Sequence, residues 1–312
     1  MLRFFVVRTA EALLTLAILS FVVFISVHLT GDPAAYLLGP QAGTTEYEIL
    51  KHNMGLDQPL PVQYIHFLAN ALHGDLGRSH ITGRQATDLL LERLPATLEL
   101  ALAAFALTLV VGIPLGILSA VRRGSWIDRI AKFFAIAGTS APNFWVAIMA
   151  ILVFGAGLKW LPTYGRGDLA HLILPAAVLS WHGLAGMVRL GRSSMLEVLD
   201  SEYVKFARIK GLAERQVVYK HAFRNAIIPL ITFSGLAFAQ LLNGSVAIEA
   251  IFAWPGIGRL MLQGINQRDF PIVQATVLAS SFFYIVTSLI VDVLYGFLNP
   301  RIRFASARGR DA

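Results

Sequence analysis

Cysteine is absent from this chain, and charged side chains are scarce. The lack of cysteine excludes disulfides and thiolate metal sites. The sequence contains no Gly-Lys dipeptide, which excludes a Walker-type phosphate loop. Only 14% of the 312 residues are charged, whereas a soluble domain usually carries about 25%. These absences argue against a nucleotide-hydrolysing or thiol-dependent enzyme, and they indicate that water is not the main solvent of this chain.

Long apolar runs account for the 56% hydrophobic content. They cover roughly 9–29, 97–121, 130–154, 172–190, 226–250 and 272–297. Each is near the length of about 20 residues that a helix needs to cross a bilayer. Pro175, Gly183 and Gly186 weaken the fourth run. The first is longer than the apolar part of a secretory signal, so we expect an uncleaved helix. The sequence predicts an all-α membrane protein with six transmembrane helices.

The net charge of +7 is unevenly distributed along the chain. Most of the 26 basic residues lie before the first run, after the second, between the fourth and fifth, and after the last. Because cytosolic segments of membrane proteins are enriched in lysine and arginine, both termini are expected in the cytosol. The basic clusters lack the stacking aromatics of a nucleic-acid binder, so nucleic acid is not an expected partner.

Four regions follow from this topology. We expect an N-terminal region with the first helix over 1–30, an outer insertion over 31–96, a transmembrane core over 97–300 and a cytosolic tail over 301–312. In the insertion, helical spacing of apolar residues predicts short helices over 61–72 and 83–93. No catalytic constellation stands out. His66, His73 and His80 fall seven apart, but glycines interrupt the stretch, so no metal site is expected.

The cytosolic loop 191–225 is the most informative segment. We expect one short helix ending at Gly211, a favourable residue for a helix C-terminus, and a second beginning near Ala213. An apolar knob ringed by Lys205, Arg208 and Arg215 is predicted from Val204, Ala207 and Leu212. The residues leave two interpretations open. The knob inserts into a groove of a partner protein, or the segment is a basic amphipathic helix on anionic lipid headgroups.

The stretch Ala207-Arg208-Ile209-Lys210-Gly211-Leu212 resembles the cytoplasmic loop of ABC importer permeases, especially those of the dipeptide/oligopeptide and nickel transport family. Lys205 and Phe206 stand where the wider importer signature has glutamate and alanine. The stretches 55–60, 73–79, 92–100, 122–128, 245–252 and 254–258 resemble the same family, in the same order. The resemblance covers nearly the whole chain.

That resemblance implies the type I ABC importer permease (MetI-like) fold, with the core over 97–300 as the permease domain. It implies import of di- or oligopeptides across the bacterial inner membrane. The expected partners are a homologous second permease, two ABC ATPases, a periplasmic substrate-binding protein and the lipid bilayer. ATP and Mg would bind the ATPases, so no cofactor and no catalysis are expected of this chain. The implied ATPase-coupling residues are Glu202, Tyr203, Val204, Ala207, Arg208, Gly211, Leu212 and Arg215.

Polar residues inside the apolar runs are candidates for the translocation path, because charge at membrane depth usually faces protein or water. They are Asn143, Gln240, Asn243, Glu249 and Asp292. Each has a structural alternative: Glu249 caps a re-entrant turn, Asp292 pairs within the bundle, and the amides join helices. Nickel, glutathione or another small solute remains an alternative cargo. A self-contained secondary transporter or channel is the alternative from another class, although no inverted repeat is visible.

Overall fold

The computed structural model describes residues 2–29, 34, 38, 43–53 and 55–298. Over these residues it is helical, with one isolated bridge between Arg78 and Gln85. The helices are α1 (Leu2–Leu29), α2 (Thr44–Asn53), α3 (Leu60–Leu72), α4 (Ala86–Val121), α5 (Trp126–Ser140), α6 (Asn143–Ala150), α7 (Leu169–Leu199), α8 (Glu202–Ile209), α9 (Glu214–Gln216), α10 (Phe223–Ile251), α11 (Ile257–Gln267) and α12 (Phe270–Leu298). Two π-helical segments, Ile151–Gly157 and Val217–Ala222, follow α6 and precede α10.

Five helical segments have the length and apolarity of a membrane span: Val6–Ser26, Ala86–Val121, Leu169–Leu199, Glu214–Leu242 and Phe270–Val291. The third predicted run, 130–154, corresponds to a broken pair, Trp126–Ser140 and Asn143–Gly157, bent by 114°. The expectation of one uninterrupted helix over 130–154 is therefore wrong. Pro142 explains the break, because proline has no N–H and disfavours the helical conformation of the residue before it. Ala141 is accordingly extended, with φ −89° and ψ 124°.

Two other element boundaries differ from the sequence predictions, and two helices were not predicted. The short helix predicted over 83–93 is not separate, because it forms the first turns of α4, which continues through Pro95. The fourth span does not end at 190, since α7 extends to Leu199. Helices α2 and α11 were not predicted. The predicted helix over 61–72 is confirmed as α3.

The described chain forms two compact units. The first contains Leu98–Trp254 and the described residues from Thr287 onward. In it α7 is the central helix and packs against α5, α6 and α10. Gly116 of α4 allows close packing as well, because a Cβ atom there would lie 2.9 Å from the carbonyl oxygen of Val188 on α7. Small residues at such contacts are typical of membrane helices, where packing replaces the hydrophobic effect between helices.

The second unit contains Leu2–Thr97 and Pro255–Val286. Its apolar core joins the start of α4 to α11 and α12 through Ala86, Leu89, Leu90, Ile257, Leu260, Ile272 and Ala275. The hydroxyl oxygen of Thr97 accepts a hydrogen bond of 2.8 Å from the backbone N–H of Ile257. Since Ile257 begins α11, this contact satisfies a donor that has no partner within its own helix.

Candidate functional site

The short helix α8 ends in a turn whose conformation requires glycine. Gly211 has a φ of +77°, in the left-handed region. Its N–H donates to the carbonyl of Arg208 at 2.9 Å, and the N–H of Leu212 donates to the carbonyl of Ala207 at 3.4 Å. This pair of bonds is the Schellman arrangement, which satisfies the last carbonyls of a helix. The predicted helix end at Gly211 is thus confirmed, and so is the helix that follows Ala213.

The buried side of this turn is formed by Val204, with none of its surface exposed, and Ala207, with 7% exposed. They belong to one apolar cluster together with Ile117, Ala120, Met195, Leu199, Val217, Val218, Ala222 and Ala226. The cluster joins α8 to the ends of α4 and α7 and to the segment leading into α10. The prediction that Val204 and Ala207 belong to an exposed apolar knob is therefore wrong, because both side chains pack inside their own chain. They fix the turn to three long helices.

The outward surface of the turn carries a different apolar set. The side chains of Phe206 and Ile209 are 62% and 79% exposed, and those of Tyr203 and Leu212 are 44% and 36% exposed. Phe206 and Ile209 were missed from the sequence, although their spacing of three from Tyr203 places all of them along one side of α8. We call Tyr203, Phe206, Ile209 and Leu212 the apolar rim.

Ion pairs flank the apolar rim. Lys205 contacts Glu202 at 2.8 Å, and Arg208 contacts Glu214 at 2.8 Å, with a second hydrogen bond of 3.1 Å between the same side chains. The hydrogen bonds that Arg208 donates to Glu214 raise the pKa of Arg208 above its ordinary value, so Arg208 stays charged at every physiological pH. Arg215 is exposed nearby. The arrangement is an apolar surface of defined shape, bordered by oriented charges.

A buried carboxylate lies in the same unit and was not singled out from the sequence. Asp128, near the start of α5, has none of its surface exposed. Its Oδ1 accepts hydrogen bonds from Ser119 Oγ and Arg192 Nε, each at 2.7 Å. Its Oδ2 accepts from the backbone N–H of Gly124 at 3.0 Å and contacts Lys132 Nζ at 2.8 Å. These five residues, the Asp128 cluster, connect α4, α5 and α7.

The predicted path residues do not share one location. Asn143 begins α6, and its Oδ1 lies 2.6 Å from Nδ1 of His182 on α7. Gln240 and Glu249 lie on α10, nine residues and thus about 13 Å apart along its axis. Gln240 is exposed, whereas Glu249 has none of its surface exposed. The side chains of Asn243 and Asp292 lie outside the described residues, so their predicted roles stay predictions.

Glu249 was predicted either to line the translocation path or to cap a re-entrant turn, and its backbone supports a turn. Its carbonyl accepts a hydrogen bond of 2.8 Å from the N–H of Trp254, just after the end of α10. Trp254 itself is 1% exposed.

The fold of the chain matches that of a solved membrane transporter. A solved structure of the inward-facing MetNI methionine ABC transporter matches with a TM-score of 0.56, covering 68% of this chain and 96% of that chain. The identity of 17% means that this match shows the fold alone. It agrees with the predicted MetI-like permease fold.

Family models match both parts of the sequence. Residues 112–304 match the model described as "binding-protein-dependent transport system inner membrane component", and residues 1–101 match its N-terminal companion. The glutathione transport system permease protein GsiC of Escherichia coli K12 is 41% identical over 97% of this chain and all of the relative. A putative peptide transport system permease protein of Brucella abortus is 42% identical over 95% of this chain and 98% of the relative.

The chain therefore belongs to the inner-membrane permease family of binding-protein-dependent ABC importers, in its peptide and glutathione transport branch. It is a multi-pass protein of the bacterial inner membrane. Membership in this family decides against the self-contained secondary transporter or channel. It also implies ATPase and substrate-binding partners in general terms.

Proposed function

We propose that this chain forms half of the membrane pathway of an importer of short peptides, driven by ATPases that dock on the apolar rim. The observation that carries the proposal is the build of the turn 202–216: an exposed apolar surface on a buried base that is continuous with three long helices. A partner groove covering Phe206 and Ile209 would remove their exposed apolar area from water, and the flanking ion pairs would orient the contact.

The route of the mechanical coupling follows from the same contacts. When the ATPases close around ATP, they would displace α8. Because Val204 and Ala207 are packed against the ends of α4 and α7 and against Val217 and Val218, those helices would move with it. Rigid-body movement of this kind is a common basis of switching between two states, here inward-open and outward-open. Within this proposal, Val204 and Ala207 act by positioning the turn.

The cargo and partners complete the proposal. The two relatives above are named as permeases of glutathione and peptide transport systems, and glutathione is itself a short peptide. We therefore favour short peptides over nickel. The assembly would contain this chain, a homologous second permease, two ABC ATPases and a periplasmic binding protein. This chain would hydrolyse no ATP itself, consistent with its lack of a Gly-Lys dipeptide.

Reconstitution tests the transport activity. The chain would be co-expressed with the permease, ATPases and binding protein encoded beside it, and the complex would be placed in proteoliposomes. Labelled trialanine is expected to enter only when ATP and the binding protein are both present. A complex whose ATPases carry an inactivating substitution serves as the control. Uptake by this chain alone, without ATPases, would contradict the proposal.

The predicted topology is tested by labelling single cysteines, which is straightforward because the chain has none of its own. Ile209→Cys lies on the apolar rim, and Asn70→Cys lies at the exposed end of α3. In intact spheroplasts, a membrane-impermeant maleimide is expected to label Asn70→Cys and to reach Ile209→Cys only after permeabilisation. Labelling of Ile209→Cys from outside would place the turn on the wrong side for ATPases.

A further inference from the structure

The second unit contains an open cleft that the coupling proposal does not use. Its volume is about 800 Å³, and it lies among the end of α1, α3, the segment 77–80 and the start of α12. Pockets that bind small molecules usually measure about 300–1,000 Å³. On the predicted topology this cleft opens to the periplasm, where cargo arrives.

The walls of the cleft are fixed by contacts on two sides. Tyr64 of α3 shares a hydrogen bond of 2.7 Å with Ser20 of α1, and its ring lies 5.4 Å from that of Phe24. On the other side, Asp269 is 2% exposed and accepts hydrogen bonds from the hydroxyl of Ser79 and the backbone N–H of His80. The cleft is therefore formed before any ligand arrives, which lowers the entropic cost of binding.

The lining has the chemistry of a site for an anion. Arg78 supplies a permanent positive charge and is exposed at the cleft. Gln58 and Gln274 add amide groups, and His66 and His80 add imidazoles. Among the described lining residues no aspartate or glutamate occurs. Two carboxylates near the lining already have partners, because Asp57 contacts His52 at 2.7 Å and Asp269 holds Ser79 and His80.

Burial at the cleft also affects His80. Its pKa lies below the ordinary value, because desolvation disfavours the charged imidazole more than the neighbouring Asp269 favours it. A neutral His80 leaves Arg78 as the permanent cation of the described lining. A single fixed cation flanked by amides suits a ligand that has one carboxylate next to peptide groups.

We propose that this cleft binds a short peptide through its free C-terminal carboxylate, with Arg78 as the carboxylate partner and the amides of Gln58 and Gln274 next to the peptide groups. The inference rests on the proposed peptide cargo and adds a site on the permease itself, separate from the binding protein. Such a site would retain cargo at the outer face between its release from the binding protein and its passage.

Cysteine protection tests this site in the assembled transporter, held in nanodiscs without the binding protein. Asn70→Cys is placed in the cleft, and its labelling rate with a maleimide is measured with trialanine or with trialanine amide, which lacks the carboxylate. Trialanine at ten times its Kd is expected to slow labelling by about tenfold, and the amide at the same concentration is expected to have little effect. Ala69→Cys, an exposed neighbour outside the lining, should be labelled at the same rate throughout.

A second substitution locates the carboxylate partner. In the Asn70→Cys background, Arg78→Gln is expected to remove the protection by trialanine. Arg84→Gln is the matched control, because Arg84 is an arginine of the same loop that does not line the cleft and instead contacts Glu92. Equal protection by acid and amide, no protection at all, or protection that persists in Arg78→Gln would each overturn the inference.

The same preparation separates this inference from the proposed function. The binding protein is added back, and ATP-driven uptake of trialanine is measured. Uptake without protection of Asn70→Cys would contradict the proposed cleft site and leave the proposal of peptide import standing. Protection without uptake would retain a carboxylate site and count against peptide import.

Discussion

Replacing Gly211 with glutamate is expected to abolish ATP-driven uptake while the amount of protein in the membrane stays unchanged. Gly211 has a φ of +77°, a conformation that costs other residues roughly 1–2 kcal/mol. An added Cβ atom would meet no atom within 4 Å, so the folded helices are not disturbed. The glutamate instead strains the turn after α8 and adds a negative charge at the edge of the apolar rim. Uptake in proteoliposomes and co-purification of the ATPases measure the effect.

Gly211→Asn is the matched control for this substitution. Asparagine adopts the left-handed conformation more readily than most residues and carries no charge. We expect this variant to keep most of its uptake and to retain the ATPases. Normal uptake by Gly211→Glu would remove the turn from the coupling mechanism. Equal loss in both variants would show that the turn tolerates no side chain and would not support a role of charge.

Asp128→Asn is expected to destabilise the first unit by about 2–3 kcal/mol, because it leaves two cations without their shared carboxylate. Asp128 is fully buried, whereas Arg192 and Lys132 are 22% and 49% exposed. Water would therefore partly replace the contact that the lysine loses. The asparagine keeps the size and one acceptor oxygen, but it cannot accept from four donors at once. Thermal unfolding of the purified complex measures the loss, and we expect uptake to fall with it.

Glu92→Gln is the control for Asp128→Asn, because it removes a carboxylate that contacts a single exposed arginine, Arg84. Exposed ion pairs contribute little to stability, so the unfolding temperature should hardly change. A loss equal to that of Asp128→Asn would mean that burial of Asp128 has no special importance. A double variant, Asp128→Asn with Arg192→Gln, is expected to recover part of the stability, because it also removes the main unpaired charge.

The six apolar runs were predictable because hydrophobic length alone identifies a membrane span. The bend at Ala141–Pro142 was not predictable, because proline is often tolerated inside membrane helices. This chain contains a proline of each kind. Pro175 lies within the continuous helix α7, whereas Pro142 ends one helix and precedes another. The difference depends on whether neighbouring helices satisfy the freed carbonyl groups. That information is tertiary and is not visible in the local sequence.

The turn that ends α8 was located correctly from the sequence, but its buried and exposed sides were exchanged. Val204 and Ala207 are apolar, as are Phe206 and Ile209, and a helix of eight residues has both pairs at helical spacing. Only the packing of Val217 and Val218 against one side decides which pair is buried. The Asp128 cluster escaped prediction for a similar reason, because Arg192 and Asp128 are 64 positions apart and the arginine was assigned to a loop.

Because α7 is uninterrupted, a small tilt at one of its ends produces a larger displacement at the other. The helix has 31 residues and is therefore about 46 Å long. Met195 and Leu199 lie at the end packed against the turn 202–216, while His182 contacts Asn143 about halfway along. A tilt of about 5° imposed at the packed end would displace the opposite end by about 4 Å, given that length. Within the proposed mechanism, a small angular change imposed by the ATPases at one end of α7 would therefore be enough to open or close a passage for a peptide at the other.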